Sequence, residues 1–142
     1  MSLTKPLKLK SFEVPVICIV DDDSWARGGL EDLLLSVGYK TRTFASAELF
    51  LNSGVVHHAT CLITDLHMPG LNGLELQRAL QREGHRVPII FVTAYRNEKH
   101  CARALEEGAL CFLIKPYDQQ TLLDFLALAS CGDANGSRLS PG

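Results

Sequence analysis

No apolar run in this chain approaches the ~20 residues needed to span a bilayer, and the N-terminal "MSLTKPLKLK" has no apolar stretch behind its lysines. Neither a membrane span nor a secretory leader is expected, and the chain reads as cytoplasmic. A basic excess is also lacking. Lys and Arg number 14 against 16 Asp and Glu, whereas binding a phosphate backbone needs clustered positive charge. Any DNA contact must come from elsewhere. Five cysteines (Cys18, Cys61, Cys101, Cys111, Cys131) form no C-x-x-C pair and no Cys/His zinc spacing. Lying mostly in apolar runs such as "VICIV" and "ALCFLI", they read as buried thiols in a reducing compartment. No G-x-G-x-x-G or P-loop follows the first apolar run, which counts against a nucleotide or flavin site. What is present, 46% apolar and 21% charged residues in 142, suits a folded domain that buries about two-thirds of the surface its unfolded chain exposes.

Residues 1–13 read as an N-terminal tail, 14–130 as one domain, and 131–142, "CGDANGSRLSPG", as a C-terminal tail or linker. Within the domain, short β-branched runs alternate with amphipathic stretches. "VICIV" (16–20), "KTRTF" (40–44), "CLITD" (61–65), "PIIFVT" (88–93) and "LCFLI" (110–114) read as strands. Helices are expected from Ser24 as N-cap to Val37 with Gly38 as the stop, after Ser46 up to Gly54, from Asn72-Gly73 toward Gly84, from Asn97 to Gly108, and over "QQTLLDFLALA". Strands 1, 4 and 5 are apolar almost throughout, so both faces of the sheet must be covered. Five strand–helix units with right-handed crossovers predict an α/β domain, a doubly wound, flavodoxin-like five-stranded parallel sheet of order 2-1-3-4-5. Gly28-Gly29 inside the first helix costs roughly 1 kcal/mol per residue against alanine; close packing or a local bend would account for it.

In that winding the carboxyl ends of the strands share one rim, where such sheets bind ligands. Strand 1 ends in Asp21, Asp22 and Asp23, strand 3 in Asp65, strand 4 in Thr93-Ala94, and strand 5 in Lys115-Pro116. Crowded carboxylates repel by about 4 kcal/mol per pair at 4 Å and an effective dielectric near 20. A hard divalent cation such as Mg²⁺ offsets that repulsion, takes few protein ligands and leaves positions for phosphate oxygens. A carboxylate beside such an ion and a lysine can attack a phosphoryl group, the chemistry of an aspartyl phosphate.

"VDDD", "TDLHMPGLNGLEL", "FVTA" and "CFLIKPY", in this order, resemble the receiver domain of two-component response regulators (CheY-like), over about residues 14–130. The spellings "TDLHMPGLNGLEL" and "GALCFLIKPYDQQTLL" are most similar to FixJ-type transcriptional regulators. The resemblance implies that Asp65 is the phosphoacceptor, and that Asp22 (directly), Asp21 (through water), Asp65 and the backbone carbonyl of His67 hold Mg²⁺, or Mn²⁺ in its place. It implies that Lys115 and Thr93 contact phosphoryl oxygens, that Lys115–Pro116 is cis, and that Thr93 and Phe112 act as the switch pair. The implied partners are a sensor histidine kinase, a second copy through the face of helix 4, strand 5 and helix 5, and DNA only through a C-terminal domain outside this chain. A stand-alone receiver serving as a phosphorelay or protein-binding switch is the alternative. Such a domain is a signalling element, not a turnover enzyme.

Asp23 reads as a charge favoured by the first helix's dipole. His67 and Tyr95, each two residues past a site residue, read as bulk that obstructs the path of an attacking water and prolongs the acyl phosphate. A haloacid-dehalogenase-type phosphatase also forms an aspartyl phosphate, but needs a second carboxylate where this chain has His67.

Overall fold

The structure is a computed structural model that describes residues 14–131. The tail expected at 1–13, and all of that at 131–142 except Cys131, lie outside the described residues. Strands β1 (Val16–Val20), β2 (Lys40–Phe44), β3 (Cys61–Asp65), β4 (Ile89–Thr93) and β5 (Cys111–Ile114) alternate with helices α1 (Ser24–Ser36), α2 (Ala47–Ser53), α3 (Gly73–Arg82), α4 (Glu98–Glu106) and α5 (Gln119–Ser130). The sheet runs in the order β2-β1-β3-β4-β5 and all its pairs are parallel, the winding the alternation implies.

Because side chains alternate across a strand, β1 sends Cys18 and Val20 to one face and Ile17 and Ile19 to the other. The first face packs with Phe50 of α2, Leu76 and Leu80 of α3 and Ala104 of α4. The second packs with Leu30 and Leu34 of α1 and Leu122 and Leu126 of α5. Both faces are covered by helices, which explains the near-continuous apolar spelling of β1 and β4. Helix α3 is further joined to the C-cap of α4 by a two-pronged pair, Arg78 Nε to Glu107 Oε1 and Nη2 to Oε2, both 3.0 Å.

Several local expectations need correction. The N-cap of α1 is Asp23, not Ser24: its carboxylate accepts from the N–H groups of Trp25 (2.9 Å) and Ala26 (3.4 Å), and Gly38 ends the helix at φ +100°. Close packing does not account for Gly28-Gly29, since a Cβ on either would meet nothing within 4 Å. Residues Val55–His58 form a 3₁₀ turn that the periodicity did not signal. Strands β4 and β5 each start one residue later than their apolar runs. Of the thiols, Cys18, Cys61 and Cys111 are buried, Cys101 half-buried and Cys131 exposed. Burial pushes the Cys18 thiol up to about 11 and Cys111 to about 12, so both stay protonated.

Candidate functional site

Strand ends bring the expected groups together. Asp21, just past β1, is 4% exposed. Its N–H donates to the Phe44 carbonyl at the end of β2 (3.1 Å), its Oδ1 accepts from the Asp23 N–H (2.9 Å), and its carbonyl accepts from Arg27 Nη1 (2.6 Å). Asp22 and Asp23 are exposed beside it, as is Trp25 in the first turn of α1, at 88%. Asp65, the last residue of β3, accepts at Oδ1 from the His67 N–H (3.1 Å). Lys115 Nζ stands 3.2 Å from Asp21 Oδ2 and 3.5 Å from Asp65 Oδ2, one ammonium between two carboxylates. Its backbone N–H donates to the Thr93 carbonyl (2.7 Å), and the Lys115–Pro116 peptide is cis.

Burial first of all pushes the Asp65 carboxyl above its ordinary range; the His67 N–H and Lys115 pull it down, and Asp21 adds to the rise. For Lys115, burial pulls downward, but Asp21 and Asp65 outweigh it and the net shift is upward. The lysine is therefore charged at neutral pH, while the Asp65 charge is held at a cost. One ligand atom from each of Asp21, Asp22 and Asp65 lies within 4.8 Å of the others. Three hard oxygen donors fit a hard divalent cation and disfavour a soft one.

Thr93 is wholly buried, and its Oγ1 accepts from the Tyr95 N–H at 3.2 Å. Phe112 is half-buried against the α2–α3–α4 core, its ring centre 6.3 Å from that of Phe91. His67 packs edge-on against Tyr95, ring centres 5.4 Å apart at 88°.

This acidic cluster, lysine and buried threonine on the rim of a 2-1-3-4-5 sheet agree with what similarity shows. Residues 17–127 match the family described as the response regulator receiver domain. The chain belongs to that family. The receiver is 39% identical over 115 residues to the transcriptional regulatory protein TdiR of Thauera aromatica, covering 81% of this chain and 51% of that protein. Among solved structures it is similar to the response regulator StyR (TM-score 0.77, 35% identity, 91% of this chain and 65% of that one). It is also similar to FixJ-N (TM-score 0.75, 29% identity, 84% and 95%). The chain spans about half the length of the curated relatives it matches. Among the described residues no helix is long and apolar enough to cross a membrane.

Three contacts around the receiver's rim were not read from the sequence. Arg27 holds the Asp21 carbonyl; a basic residue one turn into a helix that starts among acids was the available signal. Glu48 of α2 accepts from the Leu71 N–H (3.0 Å) and so fastens the loop after Asp65. Gly73 starts α3 so close to β3 that a Cβ there would lie 2.7 Å from the Asp65 carbonyl oxygen.

Proposed function

We propose that this receiver takes a phosphoryl group on Asp65 from a sensor histidine kinase. A carboxylate oxygen attacks phosphorus, the P–N bond to the donor imidazole breaks, and the freed ring nitrogen takes up a proton. The observation that carries this is the single Lys115 ammonium placed between Asp65 and Asp21 in a three-carboxylate cluster. Mg²⁺, with Mn²⁺ as substitute, would be held by Asp21, Asp22, Asp65 and the His67 backbone carbonyl, and when bound supplies charge neutralisation on the transferring oxygens. In this reading Lys115 follows the charge as it moves from carboxylate to phosphoryl group. The outcome is a changed state and not a released product, so the chain serves as a signalling domain that promotes only its own phosphorylation and dephosphorylation.

Readout begins at Thr93. Its hydroxyl oxygen now accepts from Tyr95 in the loop before α4; turning to a phosphoryl oxygen gives up that bond and frees the loop. Phe112, half-buried, then repacks, and the α4–β5–α5 face changes its affinity for a second copy. Likeness to transcriptional regulators supports control of a C-terminal DNA-binding domain in a cytoplasmic protein over the stand-alone phosphorelay.

Intact-mass spectrometry after incubation with acetyl phosphate and Mg²⁺ tests the reading. One phosphoryl increment is expected, mapped to the peptide "CLITD" and absent when EDTA is added. No increment, or one on another peptide, overturns it. A second measurement addresses the lifetime. Because the His67 ring, two residues past Asp65, packs edge-on against that of Tyr95, the pair serves in this reading as bulk against attacking water, and replacing both by alanine is expected to speed loss of the phosphoryl group several-fold; an unchanged decay rate removes the shielding role.

A further inference from the structure

We propose that the side chains of His67 and His100 form a second metal site, for an imidazole-preferring divalent ion such as Zn²⁺, separate from the acidic cluster. Among the described residues, three buried side-chain polar atoms lack any hydrogen-bond partner: His67 Nε2, His100 Nδ1 and Gln77 Oε1. Buried polar atoms are nearly always satisfied, so an orphan points to water or an ion. Two of these three sit on neighbouring rings, whose centres are 5.6 Å apart and whose planes are tilted by 51°. A neutral imidazole carries one bare nitrogen, the form that binds metal. Two imidazoles on one ion, at about 2.0–2.1 Å per Zn–N bond and near-tetrahedral angles, put their ring centres roughly 5–5.5 Å apart. The observed spacing of 5.6 Å is within a few tenths of an ångström of that range.

Both rings are carried on held backbone. The His67 N–H is fastened to Asp65, and the His100 N–H donates to Asn97 Oδ1 in the first turn of α4 (3.1 Å). Tyr95, 68% exposed, closes one side by packing on His67. No third His, Cys, Asp or Glu ligand atom joins the two among the described residues, so the remaining coordination positions are open to water or an added ligand. Imidazole nitrogen selects borderline ions, whereas the three-carboxylate cluster selects hard ones; the two sites need not compete. An ion here would tie the loop after Asp65 to α4. Any effect on phosphotransfer rests on the function proposed above, but the binding itself does not.

Calorimetric titration of the chain with Zn²⁺, in excess Mg²⁺, tests the site. One saturable equivalent is expected, weakened at least tenfold by His67→Gln and by His100→Gln, and no further by the pair together. Asp65→Asn, Cys101→Ser and His57→Gln are expected to leave the affinity unchanged; retention in Asp65→Asn separates this site from the phosphoacceptor. Co²⁺ in place of Zn²⁺ is expected to give visible d–d bands that vanish in either glutamine variant. Should those variants fail to fold, ¹⁵N NMR of the parent's imidazoles serves instead, with rings 67 and 100 shifting on Zn²⁺ addition. Absence of saturable binding, binding indifferent to both glutamine substitutions, loss through Cys101→Ser or His57→Gln, or unmoved rings 67 and 100 overturns the proposal.

Discussion

Asp65→Asn is expected to take up no phosphoryl group from acetyl phosphate and, in EDTA at neutral pH, to melt at a higher temperature than the parent. The two effects share a cause. Burial raises the folded-state affinity of the Asp65 carboxyl for its proton above that of the unfolded chain, about 3.9 for an ordinary aspartate. A group shifted that way contributes stability below its unfolded pKa and loses that contribution as pH rises through the raised folded value. Above that window the parent holds an ionised carboxylate against its burial preference and beside Asp21. Asparagine has nearly the same shape and carries no charge, so its stability does not fall through the window. Lys115 still has Asp21, 3.2 Å away in the parent, so the ammonium is not left alone in the variant. For a domain of this size each 1 kcal/mol moves Tm by roughly 3–6 °C. Adding Mg²⁺ is expected to raise the parent's Tm by mass action and the variant's by less. The comparison requires melts from acid to neutral pH. A variant no more stable than the parent at pH 7, with the two curves parallel, removes the electrostatic account; persisting phosphorylation removes Asp65 as acceptor.

Gly73→Ala is expected to destabilise the domain by about 2–3 kcal/mol, a fall in Tm near 10 °C, with slower phosphorylation of whatever remains folded. A Cβ at this position would lie 2.7 Å from the Asp65 carbonyl oxygen, 2.8 Å from Phe91 Cε1 and 3.0 Å from Leu66 Cα. Two of those three atoms are backbone, which cannot swing aside as a side-chain tip would. Relief requires that α3 move off β3, breaking the 2.9 Å bond from the Gly73 N–H to the Leu66 carbonyl, or that the end of β3 shift and carry Asp65 with it. Urea denaturation and the acetyl phosphate rate, measured on the same preparation, separate the two routes. Gly28→Ala is the internal control: with nothing within 4 Å and helical backbone, it is expected to stabilise slightly. A Gly73→Ala chain as stable as the parent overturns the close-approach argument.

The central strands β1, β3 and β4 were legible because a parallel sheet covered on both faces leaves few polar positions, and the edge strand β2, "KTRTF", because its β-branched residues alternate with charged ones. "CLITD" and "PIIFVT" permit little else. The rim was legible because the topology converts four separated strand ends into one place, so Asp21, Asp65, Thr93 and Lys115 could be gathered without knowing a distance. Resolution failed where two neighbours were equally suited. Asp23 and Ser24 are both capping residues, and only the helix's starting angle decides that the aspartate receives the N–H groups of Trp25 and Ala26. Long-range polar fastenings were also beyond the pattern: Glu48 meets Leu71 across 23 positions, and His100 meets His67 across 33, by accidents of loop path that no local period encodes. The 3₁₀ turn at Val55–His58 is too short to leave a periodic trace.

Trp25 is the chain's only tryptophan and stands in water, two residues past the acid that caps its helix. An indole already hydrated in the native state changes its surroundings little on unfolding, so its emission is a poor gauge of denaturation here. It is instead suited to report the neighbouring charge: a cation held by the aspartates is expected to alter the field at the ring and so its emission.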